Sequence, residues 1–300
     1  MRYIGLALLC ALGLAAADRS KTIGPDAVWA DGDKVMPEIV KSCDSASKFP
    51  ACFAEHMARR APAPSVAFTR AMRNEVWMRA FRKTGQVDVA YVLYPFRANE
   101  NPGWLFVNGS PAFFDPDDFK RLEGGLKNDP AWARVTAQYP KAELFPGDRA
   151  STVGPVAVEY PDGSQEFIAD YRVMDGCHAC AVLGNAFVSF EFNAKGKFTR
   201  LRFAGFDKEL VWPMQTHAGQ RFALVLGCEA APACDWTEEQ TPSDSVLHAV
   251  GKRSDPQGGV VSFGYQVTGS GTTQTTLRYG ASESGATLTL KIAAAPGLRR

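Results

Sequence analysis

Val156-Ala157-Val158-Glu159-Tyr160-Pro161-Asp162-Gly163-Ser164-Gln165-Glu166-Phe167-Ile168-Ala169-Asp170-Tyr171-Arg172-Val173 sets the architecture of this chain. Val156–Tyr160 and Gln165–Val173 are strand-like runs around Pro161-Asp162-Gly163-Ser164, whose residue types favour a turn. Ala186–Phe192 and Lys197–Phe203 repeat the arrangement around Asn193-Ala194-Lys195-Gly196. The turn spacing predicts an antiparallel meander of about four strands.

Upstream the period is helical. From Val35 to Phe81, Met36, Ile39 and Val40 give one apolar face, and Phe53, Met57 and Ala58 another. Pro62 and Pro64 interrupt the run, and Val66, Phe68, Met72, Val76, Met78, Ala80 and Phe81 suggest a third helix. Val87–Tyr94 then alternates like a strand and stops at Pro95. Trp104–Val107 and Ala112–Phe114 around Asn108-Gly109 read as a hairpin with a type I′ turn. Asp115–Leu126 and Pro130–Tyr139 read as short helices, the first capped by Asp115 with Pro116 at N1. Residues 18–212 are therefore expected to form an α+β domain, helices first and antiparallel sheet after.

Downstream, residues 213–218 read as a linker, and helical periodicity ends at Gly219. Arg221–Leu226, Val246–Val250, Val260–Val267, Thr272–Tyr279 and Ala286–Ala293 are short strand-like runs between Gly-, Ser- and Pro-rich turns. About seven strands in a segment of this size predict an all-β sandwich over residues 219–294, followed by a tail at 295–300.

The first 17 residues read as a signal peptide. Met1-Arg2-Tyr3 is basic, Ile4–Leu14 is apolar, and Ala15-Ala16-Ala17 supplies a small-residue cleavage site before Asp18. The run is shorter than the roughly 20 residues a spanning helix needs. Leu9 precedes Cys10, where a lipoprotein signal would carry a small residue, and no later segment is long and apolar enough to span. The expected location is therefore periplasmic or extracellular. Lys+Arg is 33 against 32 Asp+Glu, and the leader holds only Arg2 among charged residues. A balanced chain without a basic run carries no footprint for nucleic acid or an anionic membrane.

Six of the seven cysteines lie past the leader, in three close pairs: Cys43/Cys52, Cys177/Cys180 and Cys228/Cys234. Short loops close most easily in a disordered chain, so these pairings are the expected disulfides of an exported protein. Asp175-Gly176-Cys177-His178-Ala179-Cys180 is the sharpest chemical motif. Haem attachment would need His where Ala181 stands. Zinc would need further ligands at short spacing, and His56, His217 and His248 are scattered, so no metal is expected. A thioredoxin-like pair would need a helix N-terminus at the first Cys. A structural disulfide between two strands is the main reading. A redox pair at Cys177 and Cys180, with His178 favouring thiolate, is the alternative. The loop Tyr94-Pro95-Phe96-Arg97-Ala98-Asn99-Glu100-Asn101 could recognise a peptide or glycan, or merely bond its own backbone. No nucleophile elbow, P-loop or His-Glu-x-x-His is present, and no cofactor is expected.

In the C-terminal segment, Gly219-Gln220-Arg221-Phe222, Cys234-Asp235-Trp236, Asp244-Ser245-Val246-Leu247, Gly258-Gly259 before Phe263, Gly271-Thr272-Thr273 and Leu288-Thr289-Leu290 follow one another. This order resembles the chagasin-like inhibitors of papain-type cysteine peptidases over residues 215–294. The resemblance implies an immunoglobulin-like sandwich with three inhibitory loops at one end. The family's Asn-Pro-Thr-Thr-Gly loop is replaced here by Gly227–Cys234, with Glu229 and Pro232 at its tip. Its Gly-rich loop is kept as Ser254–Gly259, with Gly258 and Gly259. Its Arg-Pro-aromatic loop becomes Tyr279–Gly285, with Tyr279 and Ser282 and without Pro or Trp. The implied function is protein binding, with a cysteine peptidase as the concrete partner. A thiol–disulfide protein and a purely structural or assembly module are the alternatives. Catalysis is not the leading expectation.

Overall fold

A computed structural model describes residues 23–43, 48–97, 102–147, 154–207, 211–228, 235–280 and 287–297. The expected leader, residues 1–17, and the expected cleavage site before Asp18 lie outside these residues. Three helices come first: α1 Gly32–Ser42, α2 Phe49–Arg60 and α3 Ala63–Ala71. Strands β1 Trp77–Arg82, β2 Asp88–Leu93, β3 Pro102–Val107 and β4 Phe113–Phe114 form an antiparallel sheet in chain order. Helices α4 Phe119–Leu126 and α5 Pro130–Gln138 follow, then β5 Ala142–Pro146.

The expected meander is β6 Val156–Glu159, β7 Gln165–Asp175, β8 Val182–Phe192 and β9 Phe198–Asp207, each antiparallel to the next. Its first turn closes as the residue types require. Gly163 takes φ 82°, and the Asp162 carboxylate accepts from Ser164 N at 2.9 Å. The last seven strands are β10 Val211–His217, β11 Arg221–Gly227, β12 Trp236–Gln240, β13 Leu247–Asp255, β14 Val260–Val267, β15 Gly271–Tyr279 and β16 Thr287–Ala295. They divide between two sheets. One has the order β10-β16-β15-β12, with β10 parallel to β16. The other continues the meander, in the order β13-β14-β11-β6-β7-β8-β9. Strand β5 pairs with β7 beyond the end of β6.

The layers follow from alternation. One face of the long sheet presents Phe167, Tyr171, Val188, Phe190 and Phe192, which pack against Val89, Tyr91, Trp104 and Phe106 of the first sheet. The outer face of that sheet buries Met78, Val92 and Val107 with Phe68 of α3. Helices α1 and α2 cluster Ile39, Phe49, Phe53 and Met57 with Trp29 and Trp77. The opposite face of the long sheet offers Val158, Ile168, Leu224 and Phe263 to Trp212, Leu277, Leu290 and Ile292 of the β10-β16-β15-β12 sheet. Both faces of the central strands of the long sheet are thus removed from water, which is the main driving term for this arrangement, while edge strand β13 is exposed beyond Leu247.

Four expectations are corrected. The third helix stops at Ala71, because Arg73 and Asn74 turn through φ 57° and 62°; Val76 to Phe81 then lie before or in β1. The β3–β4 connection runs from Asn108 to Ala112 rather than through a two-residue turn, with Asn108 N donating to Ala112 O at 3.1 Å. Asp118, not Asp115, caps α4 by accepting from Arg121 N; the Asp115 carboxylate instead accepts from Asp117 N at 2.8 Å. Pro213 to His217 is strand, not linker. The two halves share one sheet through Ala157↔Val225 and Val158↔Leu224.

Candidate functional site

The described ends of the three expected loops come together at one end of the C-terminal strands. Gly227 pairs with Val260, and Trp236 pairs with Tyr279. Trp236 Nε1 donates to Gly227 O at 2.8 Å, Cys228 N to Gly259 O at 2.9 Å and Gly280 N to Asp235 O at 3.1 Å. These bonds cross-link the bases of the three connections. Trp236 is fully buried, with its ring 5.4 Å from that of Tyr279, so it belongs to the core. Tyr279 is half-buried. Glu229, Pro232, Cys234 and Ser282 lie outside the described residues.

The Gly258-Gly259 turn, expected from the resemblance as one of three inhibitory loops, is not a free tip. Gly258 is buried, and its carbonyl accepts from Lys83 N at 3.0 Å. A Cβ at Gly258 would press on the Asp255 carboxylate and stand 3.3 Å from Lys83 Cβ. Gly259 has φ 66°, and a Cβ there would stand 3.2 Å from Phe81 O. The turn is therefore docked on the end of β1. Beside it the buried Arg82 lies with its guanidinium carbon 4.3 Å from the Trp104 ring centroid, a cation–π geometry. A Cβ at Gly227 would overlap that guanidinium. Close approach of the two halves thus depends on glycine at 227. Nothing in the sequence pattern marks Arg82 for this role.

Two disulfides join Cys43 to Cys52 and Cys177 to Cys180, with Cα–Cα separations of 5.7 and 5.1 Å. Cys228 is also disulfide-bonded. The Cys177–Cys180 bridge closes the turn between β7 and β8, where Cys180 N donates to Cys177 O and Asp175 N to Ala181 O, both at 3.0 Å. His178 is exposed, with its ring edge-on to Phe145 at 5.3 Å. Strands flank the bridge on both sides, so no helix N-terminus faces a sulfur here. The Cys43–Cys52 bridge joins the end of α1 to α2, where the fold also brings His56 alongside.

The Tyr94 loop divides. Phe96 packs on Phe49 with ring centroids 3.5 Å apart, and the Arg97 guanidinium carbon sits 3.3 Å from the Tyr94 ring centroid. Ala98 to Asn101 lie outside the described residues. A cavity beside this loop is lined by Arg97, Asp117, Phe119, Leu122, Leu144 and Phe145. Nearby, burial and then the neighbouring Asp117 charge push the Asp115 carboxyl up to about 6. Burial also raises the Tyr94 hydroxyl above its ordinary range.

Among the described residues no helix is long and apolar enough to cross a membrane. No family model matches this chain, and neither a curated protein nor a solved structure matches it.

Proposed function

We propose that this is an exported protein-binding protein whose last seven strands form an immunoglobulin-like sandwich presenting its binding surface at one end. The supporting observation is the convergence of the connections after β11, β13 and β15, tied by Trp236 Nε1 to Gly227 O and Cys228 N to Gly259 O. Pre-ordered loop bases lower the entropic cost of binding. Strand order supports the sandwich. One sheet runs β10-β16-β15-β12, with a parallel first pair, against β13-β14-β11. The disulfides suit an oxidising, exported location.

The concrete partner is a papain-type cysteine peptidase. In that reading the Gly258-Gly259 turn acts as a brace against β1 and not as a contact. Contact falls to the Cys228–Asp235 and Tyr279–Thr287 connections. Hydrogen exchange on the full chain, with and without an active-site-blocked papain-like peptidase, tests this division. Slowed exchange is expected in peptides covering 228–235 and 279–287, with little change at 255–260. Protection confined to other surfaces would remove the loop end from the reading.

Thiol–disulfide exchange at Cys177 and Cys180 has the exposed Cys180 in its favour, but lacks a helix dipole to stabilise a thiolate. A Cys177→Ser/Cys180→Ser variant should therefore keep any partner binding.

A further inference from the structure

The helical hairpin carries a cluster that the loop end does not use. Cys43 caps the C-terminus of α1, while Cys52 and His56 stand on α2. Residues four apart share a helix face, so His56 lies on the disulfide side. A ring nitrogen of His56 and both sulfurs lie within 4.8 Å of one another. His56 Nε2 is 3.0 Å from Ser42 Oγ. His56 Nδ1 is buried and has no hydrogen-bond partner among the described residues.

Buried polar atoms are nearly always paired, so the bare Nδ1 needs an explanation. When Nε2–H donates to Ser42 Oγ, Nδ1 carries a lone pair. That is the usual state of a metal-ligating histidine, whose second ring nitrogen donates to an outer partner. Two sulfurs and a ring nitrogen of His56 form the ligand set of a soft, thiophilic site. Glu38, the nearby acid on α1, is already held by Arg60 at 2.7 and 2.9 Å.

We propose that the reduced hairpin binds a thiophilic d10 cation, with Zn2+ as the concrete case, through Cys43 Sγ, Cys52 Sγ and His56. A dithiol reductant passes two electrons and two protons to the Cys43–Cys52 bond and becomes a disulfide itself. Zn2+ then displaces the two thiol protons to solvent. Two Zn–S bonds of about 2.3 Å in a tetrahedral angle place the sulfurs about 3.8 Å apart. Cα atoms 5.7 Å apart accommodate that by rotation about the Cα–Cβ bonds. Cys43 is buried, whereas Cys52 and His56 are half-buried, so three of the four tetrahedral positions are supplied by the described residues. Disulfide and metal exclude one another. Oxidation expels the ion.

The test is anaerobic Co2+ titration of the full chain, after dithiol reduction and removal of the reductant. The expected result is one equivalent bound, with sulfur-to-cobalt charge-transfer absorption in the near ultraviolet and loss of the signal on adding Zn2+. The oxidised chain should give none. Cys177→Ser/Cys180→Ser should retain the signal, Cys43→Ser/Cys52→Ser should abolish it, and His56→Ala should weaken binding at least tenfold. If reduction loosens the hairpin, Zn2+ should raise the Tm of the reduced chain and leave the oxidised chain unchanged. Absence of both the cobalt signal and the Tm increase would overturn the proposal. So would a signal that survives loss of Cys43 and Cys52.

Discussion

At the residue scale, Asp115 and Gly258 carry the clearest consequences. The Asp115 carboxyl rises from 3.8 to about 6 because folding takes it out of water beside Asp117. The folded chain therefore holds that proton more tightly than the unfolded chain. Its contribution to stability is fully present below pH 4 and is lost as pH rises through about 6. Asp115→Asn keeps an acceptor for Asp117 N but cannot ionise. Denaturant unfolding should find it more stable than the parent at pH 8, by ~3 kcal/mol at most, with the gap closing toward pH 4. Gly258→Leu should cost ~1–3 kcal/mol by the same measurement, because its side chain would strike Asp255 and Lys83. An unchanged midpoint would mean that the turn is not docked on β1. The sequence offers Gly258-Gly259 as a loop signal, and it is a turn. That a distant strand packs on it is tertiary information, which local residue types do not carry.

At the element scale, the strands legible in the sequence are mostly those buried on at least one face between clear turns; β13, exposed beyond Leu247, is the exception. Besides β1, whose residues fit a helical stripe, three strands are not legible there: β5, β10 and β12. All three are edges. Strands β10 and β12 end their four-stranded sheet, and β5 pairs with β7 alone. Pro213 in β10 and Pro146 in β5 look like breakers, yet an edge strand tolerates a residue without an N–H. In β12 only Trp236 is fully buried, so the alternation that reveals a strand is missing. The misplaced end of α3 has a similar cause. Val76, Met78 and Phe81 fit a helical stripe, and the turn that ends the helix uses Arg73 and Asn74 rather than glycine. Edge strand β10 matters for independent stability. A fragment of residues 211–297 should melt at a higher temperature than one of 219–294, which lacks the strand paired with β16. Equal Tm values would show that β10 contributes little. Helix α5 depends on Asp129, whose Oδ1 accepts from Ala131 N and Trp132 N while Oδ2 accepts from Phe203 N at 2.9 Å. Asp129→Ala should cost ~1–3 kcal/mol, since it loses a cap and a tether to β9 together.

At the scale of the whole molecule, one sheet runs through both halves, and the loop end of the C-terminal strands is braced by the N-terminal half. Arg82 between Trp104 and Gly227, and Lys83 N on Gly258 O, are the joints. Under the proposed function, this bracing holds two connections ready for a protein partner and withdraws the third from contact. The measurement that bears most directly on that role is a titration of the oxidised chain starting at Asp18 against several papain-like peptidases, following residual activity. At least one peptidase should be silenced at a one-to-one ratio, and Tyr279→Ala should weaken this severalfold while Cys177→Ser/Cys180→Ser does not. Full activity of every peptidase at micromolar excess of the chain would contradict the inhibitory role.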